Sequence, residues 1–393
     1  MINKRSDFKA YRILIISGGH FIHDIYSSFL AVFLPLLIAK FGLTMTFAGS
    51  LTVFFRLPSL LNPLLGVMSD RIDMRYLAIW APFVTAVSMS LICVAPNYIV
   101  VCILLLIAGI SAAVFHVLGP VMIARISERA LGRGMSFWMT AGELARTVGP
   151  LVAVGAVSFW GFEGSYPVMI VGLLASVLLF IYMKDAGTCP DRQIEGDLGK
   201  TWRALRRLMI PLTGIMISRA FMVATLIAFL PTYMVVSGKS LWAGGIGLAV
   251  LEAFGAVGTF VGGTLSDRVG RKTVLFVSMP ASSILMISFV YATGWILFPI
   301  LALLGLCLFA ASPVTLAIVQ DYSRNHRGTA NGLYMGISFV ATAAVIFFAG
   351  WLADLLGLKT ALTVSALLGL SGVPIIFFIP KPYEDDSNGS LRR

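Results

Sequence analysis

Charged side chains are scarce in this chain of 393 residues: they make up 12% of it, whereas 58% of the residues are hydrophobic. A soluble globular domain carries roughly 25% charged residues, so this composition excludes a soluble protein. Apolar segments of about 20 residues are long enough to cross a bilayer, and the chain has room for about twelve of them. We therefore predict an all-α membrane protein with twelve transmembrane helices.

Other features are missing as well. The four cysteines show no CxxC spacing, which argues against a disulfide framework and against a cysteine-based metal site. No phosphate-binding glycine loop is found, and the basic residues form no patch interleaved with aromatic ones. We therefore expect no cofactor, no metal, no nucleic acid partner and no enzymatic activity.

Polar breaks divide the apolar sequence into twelve segments. Their approximate positions are 11–39, 46–68, 75–95, 98–124, 133–160, 165–183, 208–236, 244–265, 273–293, 295–320, 328–354 and 358–380. A polar stretch at 184–207 separates the first six from the last six. The predicted organisation is an N-terminal six-helix bundle, a cytoplasmic linker, a C-terminal six-helix bundle and a cytoplasmic tail, at 1–184, 185–207, 208–381 and 382–393.

The basic residues predict the orientation, because lysine and arginine accumulate in cytoplasmic loops. On this map 23 of the 29 Lys and Arg residues lie on the side shared by both termini, three lie on the other side and three lie within spans. We expect a multi-pass protein of the inner or plasma membrane with both termini in the cytoplasm. We also expect it to be a monomer in the lipid bilayer.

A motif at the end of the second span recurs at the end of the eighth. The first copy contains Gly66, Asp70, Arg71 and Arg75, and the second contains Gly263, Asp267, Arg268 and Arg271. The aspartates Asp70 and Asp267 are 197 residues apart. This repetition indicates that the two halves are copies of one six-helix unit, and such repeats often place a transport site at the bilayer midplane.

The duplicated motif resembles that of the major facilitator superfamily, and the likeness covers essentially the whole chain. The resemblance implies two pseudo-symmetric bundles with a central site. In this interpretation the glycines allow close helix approach, Asp70 meets a helix N-terminus or Arg125, and the basic residues keep the loop in the cytoplasm. Gating and topology are the favoured roles of the motif, and direct substrate binding is the alternative.

A narrower resemblance lies in spans 1, 4 and 5. These spans carry Gly19-His20-x-x-x-Asp24, Phe115-His116 and Gly149-Pro150. Together they resemble the fosmidomycin-resistance branch of drug efflux proteins, and the glycine-proline pair is similar to part of the motif of proton-driven antiporters. The resemblance implies export of a drug-like solute in exchange for protons.

Ionisable residues within the spans are functional candidates, because a charge at the bilayer centre is costly and needs a partner. Three acids and three arginines fall there: Asp24, Glu143, Glu252, Arg56, Arg146 and Arg219. The repeat relates Asp24 to Arg219 at an offset of 195 residues. Because spans 1 and 7 face each other in the resembled architecture, these two are predicted to pair across the halves, either as a pair that substrate or proton breaks or as a static lock.

Two histidines accompany the aspartate of span 1. His20, His23 and Asp24 lie at positions i, i+3 and i+4, so they share one face of a helix. Because histidine titrates near neutral pH, this group is predicted to carry the coupling proton. His116 in span 4 is a candidate for substrate binding, and a plain hydrogen bond within a packed helix is its alternative role.

The charges of span 5 have two possible arrangements. Glu143 and Arg146 are one turn apart and can neutralise each other. Alternatively, span 5 contacts span 8 in the resembled architecture, so Glu252 shares Arg146 with Glu143, and one of the two acids carries the coupling proton.

Arginines and tyrosines are the predicted substrate-binding residues. Arg56, Arg146 and Arg219 suit an anionic solute, because arginine binds carboxylate and phosphonate groups well. Tyr26 and Tyr334 are candidates for the wall of the same site.

Three functions are compatible with the sequence. The first is a secondary active transporter that exports a small organic, anionic or drug-like solute by proton antiport with alternating access. The second is a proton-coupled importer of an organic anion. The third, of a different class, is a non-transporting receptor on the same fold. The partners expected for the first two are a small-molecule substrate, protons and the bilayer.

Overall fold

The computed structural model describes residues 10–69, 72–127, 131–185, 198–322 and 327–380, and the regular elements in these ranges are helical. The α-helices are α1 (Ala10–Ser27), α2 (Phe29–Phe41), α3 (Met45–Arg56), α4 (Asn62–Ser69), α5 (Arg75–Leu91), α6 (Tyr98–Ser127), α7 (Leu131–Trp160), α8 (Ile170–Met183), α9 (Leu198–Val236), α10 (Leu241–Val269), α11 (Arg271–Tyr291), α12 (Leu297–Tyr322), α13 (Arg327–Leu356), α14 (Leu358–Leu370) and α15 (Gly372–Ile375).

These helices form twelve long apolar segments, because some of the segments consist of two consecutive helices. Helix α1 passes into α2 at Ser28, and a 3-10 segment, Leu57–Leu61, joins α3 to α4. Hydrocarbon offers no water to backbone N–H and C=O groups, so each span satisfies them within its own helix. The prediction of an all-α membrane fold is confirmed.

Ten segments of the described chain are long and apolar enough to cross a membrane. The two remaining segments are the pair α3–α4 and the helix α7. The first carries Arg56, and the second carries Glu143 and Arg146. These partly buried charges lower the mean hydropathy of the two segments, whereas Asp24, Arg219 and Glu252 lie in segments that are apolar enough despite them.

The connection between the halves is partly helical. Helix α8 ends at Met183, and α9 already begins at Leu198, so the end of the predicted linker belongs to a long helix. Residues 186–197 of that linker and the predicted tail lie outside the described residues. Helix α9 has 39 residues, which at 1.5 Å per residue gives a length of about 58 Å. It therefore extends beyond the roughly 30 Å hydrocarbon core.

The two halves meet mainly through three helix pairs: α7 packs on α10, α3 on α13, and α2 on α9. Glycines bring the helices close. A Cβ atom at Gly245 would lie 2.5 Å from Val154 Cγ2, and one at Gly350 would lie 2.6 Å from the carbonyl oxygen of Met45. These contacts lie toward the helix ends remote from the chain termini, so the halves are closed together on that side.

Asp354, near the end of α13, caps α3 of the opposite half. Its carboxylate accepts hydrogen bonds from the backbone N–H groups of Met45 at 2.5 Å and Thr46 at 2.9 Å, and from the Thr46 hydroxyl at 2.5 Å. The first N–H groups of a helix lack partners and carry partial positive charge, so a carboxylate stabilises them. A side chain of one half thus completes a helix of the other only while this side is closed.

The internal repeat is visible in equivalent contacts of Arg75 and Lys272, which are 197 residues apart. Arg75 donates a hydrogen bond to the carbonyl oxygen of Lys184, and Lys272 donates one to that of Ile379, both at 2.6 Å. Each cation thus meets a carbonyl at the end of the last span of its own half, where helix carbonyls carry partial negative charge. Each bundle is thus stabilised by its own copy of this contact, on the side of the chain termini.

The second copy of the duplicated motif forms an ion-pair network around Arg271. Its guanidinium lies 2.5 Å from Asp267 and 3.3 Å from Asp321. Arg268 is exposed beside this network, and Arg125 is exposed near the end of α6. Residues 70–71, which hold Asp70 and Arg71 of the first copy, lie outside the described residues.

The motif glycines do not serve the close helix approach that the sequence suggested. A Cβ at Gly66 would meet nothing within 4 Å, and one at Gly263 would reach only Pro313 at 3.6 Å. Their carbonyl oxygens instead accept hydrogen bonds of 2.7 Å from the hydroxyls of Ser69 and Ser266. Each copy thus contains a hydrogen bond from a serine hydroxyl to the carbonyl oxygen of its glycine.

The cap predicts that Asp354→Ala opens the closed side. Thr44 remains as the N-cap residue of α3, and a carboxylate at a helix N-terminus contributes about 0.3–1 kcal/mol, which corresponds to a roughly 2- to 5-fold increase in the ratio of open to closed protein. Spin labels at the exposed positions Phe47 and Leu355, measured by pulsed electron resonance, should show longer distances in the variant. The control is Glu163→Gln, which removes a carboxylate whose ion pair with Lys40 lies within one half. Identical distances in Asp354→Ala and wild type would contradict this role of the cap.

Candidate functional site

Three of the four histidines surround Asp24. His23 Nδ1 lies 2.8 Å from Asp24 Oδ1, His20 Nε2 lies 3.2 Å from Oδ2, and His116 Nε2 lies 3.2 Å from Oδ1. The spacing on α1 predicted that three of these residues share a face, and α6 contributes His116. We call these four residues the histidine–aspartate cluster. It lies entirely within the N-terminal half.

Aromatic rings and one glycine hold this cluster in place. The ring of His20 stacks on Trp138 with centroids 3.8 Å apart, and the ring of His23 stacks on Phe115 at 4.6 Å. Gly142 of α7 faces His20, and a Cβ atom there would lie 2.7 Å from His20 Cε1. The absence of a side chain at Gly142 therefore allows α7 to pack against the imidazole.

The hydrogen bonds of His20 assign its ring hydrogens. Nδ1 lies 2.9 Å from the carbonyl oxygen of Trp138. A carbonyl oxygen only accepts, so Nδ1 carries a hydrogen, and Nε2 is the ring nitrogen that lies beside Asp24. Among the described residues Nε2 is a buried atom without a hydrogen-bond partner.

His23 is held at both ring nitrogens. Beyond its contact with Asp24, its Nε2 lies 3.0 Å from the hydroxyl of Thr85. Thr85 bonds to Ser111 at 2.9 Å, and Ser111 donates to the carbonyl oxygen of Ala81 at 2.9 Å. This chain of hydroxyls fixes the imidazole, which in turn orients the carboxylate.

The four residues differ in exposure. Asp24, His20 and His23 are each at most 4% exposed, whereas the side chain of His116 is 43% exposed. An ion or solute therefore reaches this cluster from the side of His116.

A second group of charges joins the two halves. Glu143 and Arg146 on α7 form an ion pair, and Arg146 Nε lies 3.6 Å from Glu252 Oε2 on α10. Arg56 on α3 is close enough to interact electrostatically with Glu252 and Arg146. Two acids therefore share Arg146, which is the second of the two predicted arrangements. We call these four residues the interhalf cluster, and with both carboxyl groups ionised its charge is zero.

The two clusters are neighbours. Arg146 of the interhalf cluster lies within electrostatic reach of both Asp24 and His116. A change of charge in one cluster is therefore felt in the other, because charges in a medium of low dielectric constant interact strongly.

Arg219 stands apart from both clusters. It donates hydrogen bonds to the carbonyl oxygen of Leu308 at 3.3 Å and to the hydroxyl of Ser312 at 2.7 Å, and it lies within electrostatic reach of Tyr334. Its Nε has no hydrogen-bond partner among the described residues. Within the described part of the chain no carboxylate lies at ion-pair distance from this guanidinium, so it is a buried cation without a counter-charge there.

The predicted pair of Asp24 and Arg219 is not formed in this structure. The carboxylate of Asp24 is taken up by three imidazoles of its own half, and Arg219 bonds to Leu308 and Ser312 of the other half. The repeat relates the two positions along their helices, but it does not determine which way each side chain points. The prediction of a cross-half salt bridge at this place is corrected accordingly.

Tyr26 is also placed differently from its prediction as a substrate-binding residue. It is 1% exposed, and its hydroxyl donates a 2.6 Å hydrogen bond to the carbonyl oxygen of Val168. With its polar atom satisfied inside the N-terminal half, Tyr26 is a packing residue. Tyr334, in contrast, bonds to Thr315 at 2.8 Å and lies beside Arg219.

The Gly149-Pro150 pair lies on α7 where this helix packs on α1. A Cβ atom at Gly149 would lie 2.8 Å from the carbonyl oxygen of Ile25 and from the side chain of Ser28. A Cβ atom at Gly245 of the other half would lie 3.3 Å from the carbonyl oxygen of Pro150. The pair therefore sits at a crossing of three helices.

Sequence reasoning missed the residues that support the site. Thr85 and Ser111 are small hydroxyl residues that look like any other within an apolar span, and Gly142 looks like an ordinary helix glycine. Polar residues in membrane spans seek hydrogen-bond partners, so the signal was present, but only the fold shows which partner each one finds.

A family model described as Major Facilitator Superfamily matches residues 16–345. The chain is 23% identical over 386 residues to the fosmidomycin resistance protein of Escherichia coli (strain K12), covering 94% of this chain and 93% of that protein. It is 25% identical over 315 residues to the class G tetracycline resistance protein of Vibrio anguillarum, covering 76% of this chain and 78% of that protein.

Solved structures share the fold. A bacterial homolog of the human lysosomal transporter Spinster, in an inward-facing and occupied conformation, superimposes with a TM-score of 0.82 at 14% identity, covering 96% of this chain and 97% of that one. A variant of the nucleoside transporter NupG gives a TM-score of 0.78 at 13% identity, covering 94% and 99%. The match to the Major Facilitator Superfamily, a family of transporters, confirms the prediction that the chain is not an enzyme.

The packing at Gly142 predicts that Gly142→Ala is destabilising. The new methyl group would overlap His20, which cannot retreat because Trp138 stacks on its other face, and overpacking of this kind costs about 1–3 kcal/mol. The unfolding temperature of the purified protein should fall. The matched control is Gly155→Ala on the same helix, where a Cβ meets nothing within 4 Å and no loss is expected. Equal unfolding temperatures for the two variants would argue against the contact.

Proposed function

Since the chain belongs to the major facilitator superfamily, we propose that it is a secondary active transporter that exports a small organic anion by proton antiport with alternating access. The observation that carries the proposal is the interhalf cluster, in which Glu252 of the C-terminal half shares Arg146 with Glu143 of the N-terminal half. A proton on Glu252 would remove the ionic bond that holds α10 to α7 at this depth.

Two ligands break the same bond. A proton neutralises Glu252, whereas a solute anion competes with the carboxylates for Arg146. When neither is present, the cluster is neutral and closed, and the halves stay together. When one is bound, the halves are released and change their orientation about the midplane site. Protons thereby move in one direction and the anion in the other.

Arg219 supports an anionic solute. A buried guanidinium without a carboxylate partner is costly in a membrane, and an anion would supply the missing charge. Tyr334 interacts electrostatically with Arg219, and its hydroxyl is hydrogen-bonded to Thr315 at 2.8 Å. Arg56 and Arg146 belong to the interhalf cluster and not to this place, so Arg219 would bind an anion from within the C-terminal half.

The direction of transport is proposed from the relatives. Two proteins to which the chain is similar over most of its length are named for resistance to fosmidomycin and to tetracycline, and resistance is a consequence expected of export. We place the protein in the inner or plasma membrane, with both termini in the cytoplasm and the linker on the same side.

Import with a proton is the second candidate, and the sharing of Arg146 is the observation that favours it. If the anion binds Arg146 only after Glu252 is protonated, proton and anion travel together. Proteoliposomes loaded with fosmidomycin, a phosphonate anion, distinguish the two. An acidic exterior should drive fosmidomycin out of the vesicles under antiport, whereas an acidic interior should drive it out under symport.

Glu252→Gln should uncouple transport from protons. The variant mimics the protonated carboxyl permanently, so a pH gradient should no longer drive accumulation of fosmidomycin, while exchange of labelled for unlabelled solute continues. An entrapped pH-sensitive dye reports the proton movement. Glu163→Gln, which removes an exposed carboxylate paired with Lys40, serves as the charge-matched control and should behave like wild type. Full proton-driven accumulation by Glu252→Gln would refute the coupling role.

Arg219→Gln should weaken anion binding. Loss of a hydrogen bond to a charged group costs about 1.5–3 kcal/mol, so the dissociation constant for fosmidomycin should rise roughly 10- to 150-fold. Scintillation-proximity binding to purified protein measures it. Arg203→Gln, an exposed arginine on the same helix α9, is the control. An unchanged affinity in Arg219→Gln would remove this residue from the binding site.

A further inference from the structure

We propose that His20, Asp24 and His116 form a binding site for one divalent transition-metal ion such as Zn²⁺. The cysteines gave no indication of a metal site, but this set contains none of them. The inference concerns a ligand of the N-terminal half alone, and it does not depend on the direction or coupling of transport.

The spacing of the donor atoms fits a metal. One ligand atom from each of the three residues lies within 4.8 Å of the others. His20 Nε2 and His116 Nε2 are each 3.2 Å from an oxygen of Asp24. In a tetrahedral zinc site with bonds of about 2.0–2.1 Å, neighbouring ligand atoms are about 3.3 Å apart. The two distances run to different oxygens, so an ion is bound either by both oxygens of Asp24 or after a side chain moves.

The orientation of His20 also leaves one nitrogen available to a metal ion. Its Nδ1 donates a hydrogen bond to the carbonyl oxygen of Trp138 at 2.9 Å, whereas its Nε2 lies 3.2 Å from Asp24 Oδ2. A metal ion between these two atoms would take the place of a shared proton. A ligand histidine whose other N–H is donated to a backbone carbonyl is the usual arrangement at metal sites.

Residues around the three ligands fix their positions. His23 contacts Asp24 Oδ1 at 2.8 Å, and its far nitrogen is held by Thr85. The stacking of His20 on Trp138 fixes the ring plane. Such outer contacts orient ligands and raise metal affinity, so the site is organised before an ion arrives.

The donor set and the access route indicate which ion binds. Two imidazoles and one carboxylate suit Zn²⁺, Co²⁺, Ni²⁺ or Fe²⁺, whereas Mg²⁺ and Ca²⁺ prefer oxygen ligands. The partly exposed His116 gives the ion an entry path, and three protein ligands leave a fourth position for water or for an oxygen of a solute. Arg146 interacts electrostatically with Asp24 and His116, and its positive charge lowers the affinity for a cation.

Metal binding by the purified full-length protein, after removal of any affinity tag, tests the site. Calorimetric titration with Zn²⁺ alone should give one ion per chain, and Co²⁺ should give the intense visible absorption of four-coordinate cobalt. His116→Gln and Asp24→Asn should each weaken Zn²⁺ binding at least about 100-fold, and Thr85→Val roughly 10- to 100-fold, as expected for an outer contact.

Two control proteins show whether Zn²⁺ binds at this site or elsewhere on the chain. Glu163→Gln, which removes a distant carboxylate, and a version with the four cysteines replaced by serine should both bind Zn²⁺ like wild type. His116 is partly exposed, so His116→Gln should fold normally, which thermal unfolding verifies. Unchanged Zn²⁺ affinity in that variant, or no Zn²⁺ binding by wild type, would overturn the proposal. No solute or proton gradient is present, so failure of the transport proposal would not affect the outcome.

Discussion

The cost of an unpartnered charge in hydrocarbon is the constraint on which the rest of this structure depends. The buried ionisable residues differ in where their partners lie. Asp24 finds three imidazoles within its own half and is held rigidly. Glu252 finds Arg146 in the other half, so its bond reports whether the halves are together. Arg219 has no acidic partner among the described residues, which leaves its charge available to a ligand.

Much of this arrangement was predictable from the sequence. Low charge content and apolar segments of membrane length predict the spans, and positions i, i+3 and i+4 place His20, His23 and Asp24 on one helix face. The sharing of Arg146 by two acids followed from the resembled helix contacts. The pairing of Asp24 with Arg219 was wrong because a repeat gives equivalent positions along two helices, whereas the partner of a side chain depends on the rotation of each helix and on its neighbours.

Arg146 links the two proposed sites. It pairs with the carboxylates of the interhalf cluster and also lies within electrostatic reach of Asp24. A metal ion beside Asp24 would repel the guanidinium, and a proton on Glu252 would free it, so each event changes the field at the other site. Binding and conformational change would then be coupled through charge, without any direct contact between ion, proton and solute.

The cap that Asp354 places on α3 differs from the interhalf cluster in its surroundings. The carboxylate and the helix end both lie at an exposed edge, where water molecules can take over each hydrogen bond as it breaks. Separation at this edge is therefore a stepwise replacement of protein partners by solvent, with a low activation barrier. In the bond between Arg146 and Glu252 the carboxylate is only 5% exposed, so fewer water molecules can replace its partner there than at the outer edge.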